Sequence, residues 1–209
     1  MTNVREMREK FLLHSNSDRN VHDNLKSLSV PELRELSENS TYEFEVLCLN
    51  VLGDLNIGTI IRSSHLFGAR RVTIFGRRRM DNRGLVGAQN YTKVERVEAL
   101  EEDGVTIDPA AFWRYLDQHR LYPIFVEQGG SNVYQFDWLE AVFAAKKIGA
   151  TLCLVLGTEN SGIPNSILKD ANMVSQAVSI PQRGVIRSHN VSMAFSAVCS
   201  QMIGQLGWY

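Results

Sequence analysis

An α/β fold with a mainly parallel sheet is predicted by three features of the sequence. Short apolar runs alternate with segments of helical periodicity, and several of those runs are apolar without interruption, as strands covered on both faces require. No internal repeat or Gly/Ser-rich linker breaks the alternation. At 209 residues and 23.6 kDa, the chain can bury one substantial core but is too short for two full-sized enzymatic domains. The expected organisation is a helical appendage over residues 1–40 and one α/β domain over residues 41–209.

The elements follow in order. In the polar, charged first forty residues, Ser29-Val30-Pro31-Glu32 signals a helix start, with Ser29 as N-cap, Pro31 in the first turn and Glu32 closing a capping box. YEFEVLCLNV, from Tyr42, turns wholly apolar at its end and predicts a strand. Ile57, Ile60, Ile61, Ser64 and Phe67 then recur at helical spacing, with Gly68 as the stop. ARRVTIFG (69–76) is the next strand, and a basic, Gly-containing stretch runs from it to Tyr91. AAFWRYLDQHR predicts a helix, LYPIFVE a strand, and DWLEAVFAAKKIG a helix whose capping box is Asp137 with Glu140. TLCLVLG predicts a strand, PNSILKDAN a short helix and MVSQAVSI a last strand. The final helix begins at Val191 and carries Ala194, Phe195, Val198 and Met202 on the same face.

Composition excludes whole classes. With 44% hydrophobic and 22% charged residues, collagen-like, disordered and low-complexity chains are ruled out. No apolar run approaches the roughly 20 residues that span a bilayer, and the charged first segment is unlike a secretory signal, so a cytoplasmic location is expected. Cys48, Cys153 and Cys199 are odd in number, far apart and set among aliphatic residues, which suits reduced core thiols. Neither a disulfide nor a metal ligand set is expected.

The net charge of −1 conceals an asymmetry. Between Arg62 and Arg96 stand nine basic residues against two acidic, a local +7, so the remainder carries −8. Such a distribution suits a phosphate backbone held on one side of an otherwise acidic body. A solvated basic loop would show the same pattern.

In a parallel sheet, ligands lie beyond the carboxyl ends of the strands, which directs attention to the strand-to-helix junctions. The first is Asn56-Ile57-Gly58-Thr59-Ile60-Ile61-Arg62. The second is Leu156-Gly157-Thr158-Glu159-Asn160-Ser161-Gly162. The third is Ile180-Pro181-Gln182-Arg183-Gly184-Val185-Ile186-Arg187-Ser188-His189-Asn190-Val191-Ser192. Taken singly, Asn56 reads as a helix cap, Arg62 as a surface arginine, Gly157 to Gly162 as a turn, and Ser188 or Asn190 as another cap. Six helical residues rotate by about 240°, so Asn56 and Arg62 cannot share a face and Asn56 is expected in the loop or cap. Arg77, Arg78, Arg79 and Arg83 follow the second strand on the same edge of the sheet, where a phosphate backbone would pass.

Together and in this order, the three motifs resemble those of the SpoU (TrmH) family of RNA ribose methyltransferases, in the SPOUT superfamily, over residues 42–208. That family has an Asn followed six residues on by an Arg, then Gly-x-Glu-x-x-Gly, then Ile-Pro with Ser-x-Asn-x-Ser and a helix. The resemblance implies a C-terminal trefoil knot, which no periodicity could propose. It implies S-adenosylmethionine as methyl donor, tRNA or rRNA as partner, and a homodimer whose site combines residues of both subunits. By position it makes Asn56, Arg62, Glu159, Ser188 and Asn190 the catalytic set, with Glu159 bracing the second loop. The donor-binding set becomes Val126, Glu127, Leu156, Gly157, Glu159, Gly162, Ile180, Gln182, Ser188, His189 and Asn190, and the RNA-binding set Arg62, Arg77, Arg78, Arg79 and Arg83.

Chemistry leaves two roles for Arg62. A guanidinium stays protonated in nearly every setting, so it is either an unusually perturbed base or a cation that stabilises a developing alkoxide and grips a phosphate. His189 stands where the family commonly has Leu, which makes the pocket more polar. The first forty residues, with six basic and seven acidic side chains, offer little charge for RNA. Competing readings are a knotted enzyme that methylates a base nitrogen and a non-catalytic RNA-binding protein. A Rossmann-type nucleotide enzyme is weaker still, because no G-x-G-x-x-G follows a strand and Glu127-Gln128-Gly129-Gly130 is a fragment of such a loop.

Overall fold

The structure, a computed structural model, describes residues 19–50, 56–77, 83–158, 161–169 and 177–209. Six strands among them form one sheet in the order β3-β2-β1-β5-β4-β6, every pairing parallel. They are β1 (Phe44–Asn50), β2 (Val72–Gly76), β3 (Val94–Glu98), β4 (Leu121–Asn132), β5 (Thr151–Leu156) and β6 (Ala177–Ser179). The helices are α1 (Val30–Asn39), α2 (Asn56–Leu66), α3 (Pro109–Gln118), α4 (Trp138–Lys147), the single turn α5 (Asn165–Leu168) and α6 (Val191–Leu206).

Strand alternation explains the uninterrupted apolar runs. Along β1, Phe44, Val46 and Cys48 enter one core with Ile60, Trp138, Phe195 and Met202, between the sheet and α2, α4 and α6. Leu47 and Leu49 point the other way, into a second core with Phe75, Phe112, Phe125 and Ile167 under α3 and α5. A strand that feeds two cores has no polar face to show. Fully burying side chains such as Phe195 and Met202 contributes on the order of 1.5–3 kcal/mol each. All three cysteines sit in these cores as free thiols, and burial pushes the Cys153 and Cys199 thiols up in pKa.

The helix ends follow the sequence signals. Ser29 and Glu32 form the full capping box of α1, Asp108 and Asp137 cap α3 and α4, and Gly68 takes the left-handed conformation at φ +72° just after α2. Two expectations need amendment. β3 was not anticipated, because Val-Glu-Arg-Val-Glu is a half-exposed edge strand on which Arg96 and Glu98 are exposed, a common protection against edge-to-edge pairing. β4 runs on past Glu127 to Asn132 through an irregularity, in which Val126 and Ser131 both pair with Val178. The last strand is described only over Ala177–Ser179. The knot depends on the chain path through residues 159–160 and 170–176, which lie outside the described residues.

The basic stretch is not one face. Arg71 sits in an ion network, 2.7 Å from Glu45 and 2.9 Å from Glu95. The Tyr115 hydroxyl, its pKa pushed up by burial, donates to Glu95 at 2.9 Å. Arg71 therefore contributes structure rather than a phosphate contact.

Candidate active site

A cleft of about 540 Å³ opens beyond the carboxyl ends of β4, β5 and β6, the edge at which parallel sheets receive ligands. Three segments build it: the irregular part of β4, the loop that leaves β5, and the chain between β6 and α6. Of the residues expected at a donor site, Val126, Glu127, Gly157, Gly162, Ile180, Gln182, Ser188 and His189 line the cleft. Leu156, expected at the donor site, ends β5 with its side chain in the core at 1% exposure and does not line the cleft. Glu159 lies outside the described residues.

The loop after β5 is closed on itself. Thr158 and Gly162 exchange two backbone hydrogen bonds, at 3.0 and 2.9 Å. The turn brings Gly162 so close to Gly157 that a Cβ at Gly157 would stand 2.3 Å from the Gly162 carbonyl carbon. Gly162 adopts φ +67°, where L side chains are strained. Gly184, by contrast, has open space around it.

Glu127 holds this loop from the side. One carboxylate oxygen accepts the Ile163 N–H and the other the Gln128 N–H, each at 2.8 Å. Glu127 is thus a brace of this loop that joins it to β4. The extra residues of β4 form one wall: Val126, Glu127, Gln128 and Gly129 line the cleft. Gly130 packs against the next strand, where a Cβ would meet the Ala177 carbonyl carbon at 2.6 Å. Gln128 donates from Nε2 to the Arg187 carbonyl at 3.0 Å and ties this wall to the chain before α6. Arg187 falls within the third junction and Gln128 beside Glu127, but the sequence assigned neither to the site. The only available signal was the Gly-Gly pair that follows Gln128.

Asn190 links the third motif to the first. Its Oδ1 accepts from the Ser192 N–H at 3.0 Å and from the Ser192 hydroxyl at 2.7 Å, capping α6. Its Nδ2 donates to Asn56 Oδ1 at 2.8 Å. Asn56 opens α2 as its first residue instead of preceding it. Ser192 is buried, whereas residues 181–190 are exposed along their whole length.

Arg62 lies elsewhere. It is exposed, and it lines a second cleft between α1 and α2 that shares no lining residue with the first. The rise of α2 separates it from Asn56 by about 9 Å along the axis. Arg77 and Arg83 are exposed beyond β2, while Arg78 and Arg79 fall outside the described residues. No group of His, Cys, Asp and Glu suited to a metal ion occurs among the described residues. No described helix is long and apolar enough to cross a membrane.

An all-parallel sheet carrying a glycine-walled cleft at its carboxyl edge defines an α/β enzyme that holds a small ligand against its backbone. The sequence matches the SpoU rRNA Methylase family over residues 43–200. The chain therefore belongs to that family and is an RNA methyltransferase. None of the curated proteins matches it. Among solved structures, the A. aeolicus TrmH/SpoU tRNA modifying enzyme superposes with a TM-score of 0.62 at 20% identity, over 85% of this chain and 82% of its own. The SpoU methyltransferase AviRb of Streptomyces viridochromogenes, solved in complex with AdoMet, gives 0.59 at 21% identity, over 78% of this chain and 58% of its own. The AdoMet-bound rRNA methyltransferase of Sinorhizobium meliloti gives 0.59 at 20% identity, over 83% and 60%. At these identities the likeness is one of fold.

Proposed function

We propose that this protein transfers the methyl group of S-adenosylmethionine to a ribose 2′-hydroxyl of tRNA or rRNA, as a cytoplasmic homodimer in which each site combines residues of both subunits. The observation that carries the reading is the Asn190–Asn56 hydrogen bond, 2.8 Å long, which couples the glycine-walled cleft to the helix bearing Arg62.

The cleft suits the donor. Gly157 and Gly162 let the turn after β5 close tightly on itself, so that main chain forms much of this wall, where it can meet an adenine and a ribose. Val126 and Ile180 supply apolar contact, and Gln182, Ser188 and His189 supply polar groups. Its volume falls within the range of small-molecule sites. Bound there, the donor supplies an electrophilic methyl carbon on a sulfonium.

The chain's own task is alignment. In-line displacement needs the attacking oxygen about 3–3.5 Å from the carbon, with water excluded. Asn190 and Glu127 hold the two loops that fix the cleft, and Asn56 sets the start of α2. The protonated guanidinium of Arg62 stabilises the alkoxide that develops as the hydroxyl proton leaves to solvent, and it grips a neighbouring phosphate.

Because Arg62 lines a different cleft within its own chain, it acts on the donor cleft of the partner subunit. Val185, Ile186 and Met193 support a second copy, since these three apolar side chains, close in sequence to the cleft residues Arg187, Val191 and Ala194, have at least 65% of their surface exposed.

The test is direct. RNA labelled with methyl-tritiated donor is hydrolysed in alkali; resistant radioactive dinucleotides are expected, because cleavage requires a free 2′-oxygen. Label confined to mononucleotides would instead mean a base nitrogen, and donor binding without any label a non-catalytic protein.

A further inference from the structure

The cleft that contains Arg62 has a construction of its own. α1, the last turns of α2 and residues 86–93 enclose about 490 Å³. This space opens into a shallower trough of about 770 Å³ along β3. The two share Glu38, Thr41, Arg70, Thr92 and Lys93, so they form one continuous channel. It lies at the amino edge of the sheet, away from the donor cleft.

Its floor is apolar. Leu36, Leu66 and Val86 are 43%, 72% and 50% exposed, beside the rings of His65 and Tyr91, whose centroids lie 6.2 Å apart. The rims are cationic: Arg62, Arg70 and Lys93 around the cleft, Arg34 and Arg96 along the trough. Glu38 is the single carboxylate among the described lining residues. Arg34 is fixed there by its Nε, which donates to the Asn90 carbonyl at 3.0 Å. Among the described residues, Arg70 forms a long ion pair of 3.9 Å with Glu43, which holds Lys146 at 3.0 Å. Apolar surface between cationic rims is how single-stranded nucleic acid is held, bases on the floor and phosphates on the rims. An acidic peptide would use the cations and leave the exposed floor without a partner.

We propose that this channel is the substrate track, in which a single-stranded RNA segment runs from Arg62 along β3 with phosphates on Arg70 and Lys93. The proposal rests on the RNA methyltransferase reading of Arg62. It assigns to residues 19–40, whose own charges nearly balance, the task of forming one wall.

The experiment uses the full chain and a labelled oligouridine of about twelve nucleotides, a length within the reach of one such groove. Two double variants are compared: Arg70→Gln with Lys93→Gln, and, on exposed positions of α3 and α4 outside the channel, Arg114→Gln with Lys147→Gln. The first pair makes the plot of log affinity against log salt shallower by about 1.4, since each lost contact to a single strand removes about 0.7. S-adenosylmethionine affinity stays unchanged, which also shows that the variant is folded. Equal slopes for the two pairs overturn the proposal. In the unmodified protein, acetylation by an N-hydroxysuccinimide ester reads the same contact: oligouridine protects Lys93, while Lys146 and Lys147 stay reactive. The proposal fails if Lys93 reacts equally with and without RNA, if residues 1–18 shield it throughout, or if polyglutamate protects it better. Protection of Lys93 without alkali-resistant product sinks the ribose reading alone; active methylation with Lys93 unprotected sinks the channel alone.

Discussion

The Asn190 side-chain amide donates to Asn56 Oδ1 across 134 residues of sequence, at 2.8 Å, while its own oxygen caps α6 through Ser192. One side chain thus sets the start of α6 and ties it to the start of α2.

Replacement of Asn190 by Ala removes both functions. Loss of the cap alone costs about 1 kcal/mol, and S-adenosylmethionine affinity falls as the loop before α6 loses its anchor. In a double-mutant cycle with Asn56→Ala, measured by thermal unfolding, the two effects are non-additive by about 0.5–3 kcal/mol. Simple additivity would mean that the bond carries no energy.

Gly157→Ala places a methyl group 2.3 Å from the Gly162 carbonyl carbon. Backbone has to move, at a cost of about 1–3 kcal/mol, and the displaced turn narrows the cleft. Calorimetry should show donor binding lost while the far-ultraviolet circular dichroism stays that of the parent; unaltered affinity would place the donor elsewhere.

Glu127→Gln keeps the shape of the side chain but turns one acceptor into a donor. Either Ile163 N–H or Gln128 N–H then faces an NH₂ group, an unmet hydrogen bond worth about 1–3 kcal/mol. Limited proteolysis within residues 157–163 should accelerate, and donor affinity should drop.

Arg62→Ala abolishes methyl transfer with donor affinity nearly unchanged. If the site is shared between subunits, mixing this variant with Gly157→Ala restores about a quarter of parental activity, because half the dimers are mixed and each has one complete site. A mixture as inactive as its components would confine Arg62 to its own chain.

Burial holds the His65 imidazole below its ordinary value of 6.5. The ring packs near Tyr91 and its Nδ1 lies 3.4 Å from the Ser37 hydroxyl. As pH falls through 6.5, the unfolded chain takes up a proton here that the folded chain resists, so stability declines toward acid. Thermal unfolding between pH 7.5 and 5.5 should show a smaller loss for His65→Gln than for the parent.

Much of the fold was legible in the sequence, for reasons visible in particular residues. Uninterrupted apolar runs such as Val46–Leu49 announced strands with two covered faces, and Ser29, Asp137 and Gly68 marked helix ends by local chemistry. β3 escaped notice because Glu95, Arg96 and Glu98 make an edge strand resemble a charged loop. Glu127 was anticipated as part of the site but not as the brace of its loop, since the Ile163 N–H it accepts is 36 residues distant.

Local pattern therefore determined the order of strands and helices, the two-sided core and the three chemical motifs, because these depend on neighbours within a turn or a pleat. Only tertiary structure decided that Asn190 meets Asn56, that Glu127 reaches across to hold the Ile163 N–H, and that Arg62 faces a cleft apart from the glycine-walled one. Those relationships arise from strand order and helix packing, which bring together groups whose separation along the chain carries no periodic signal.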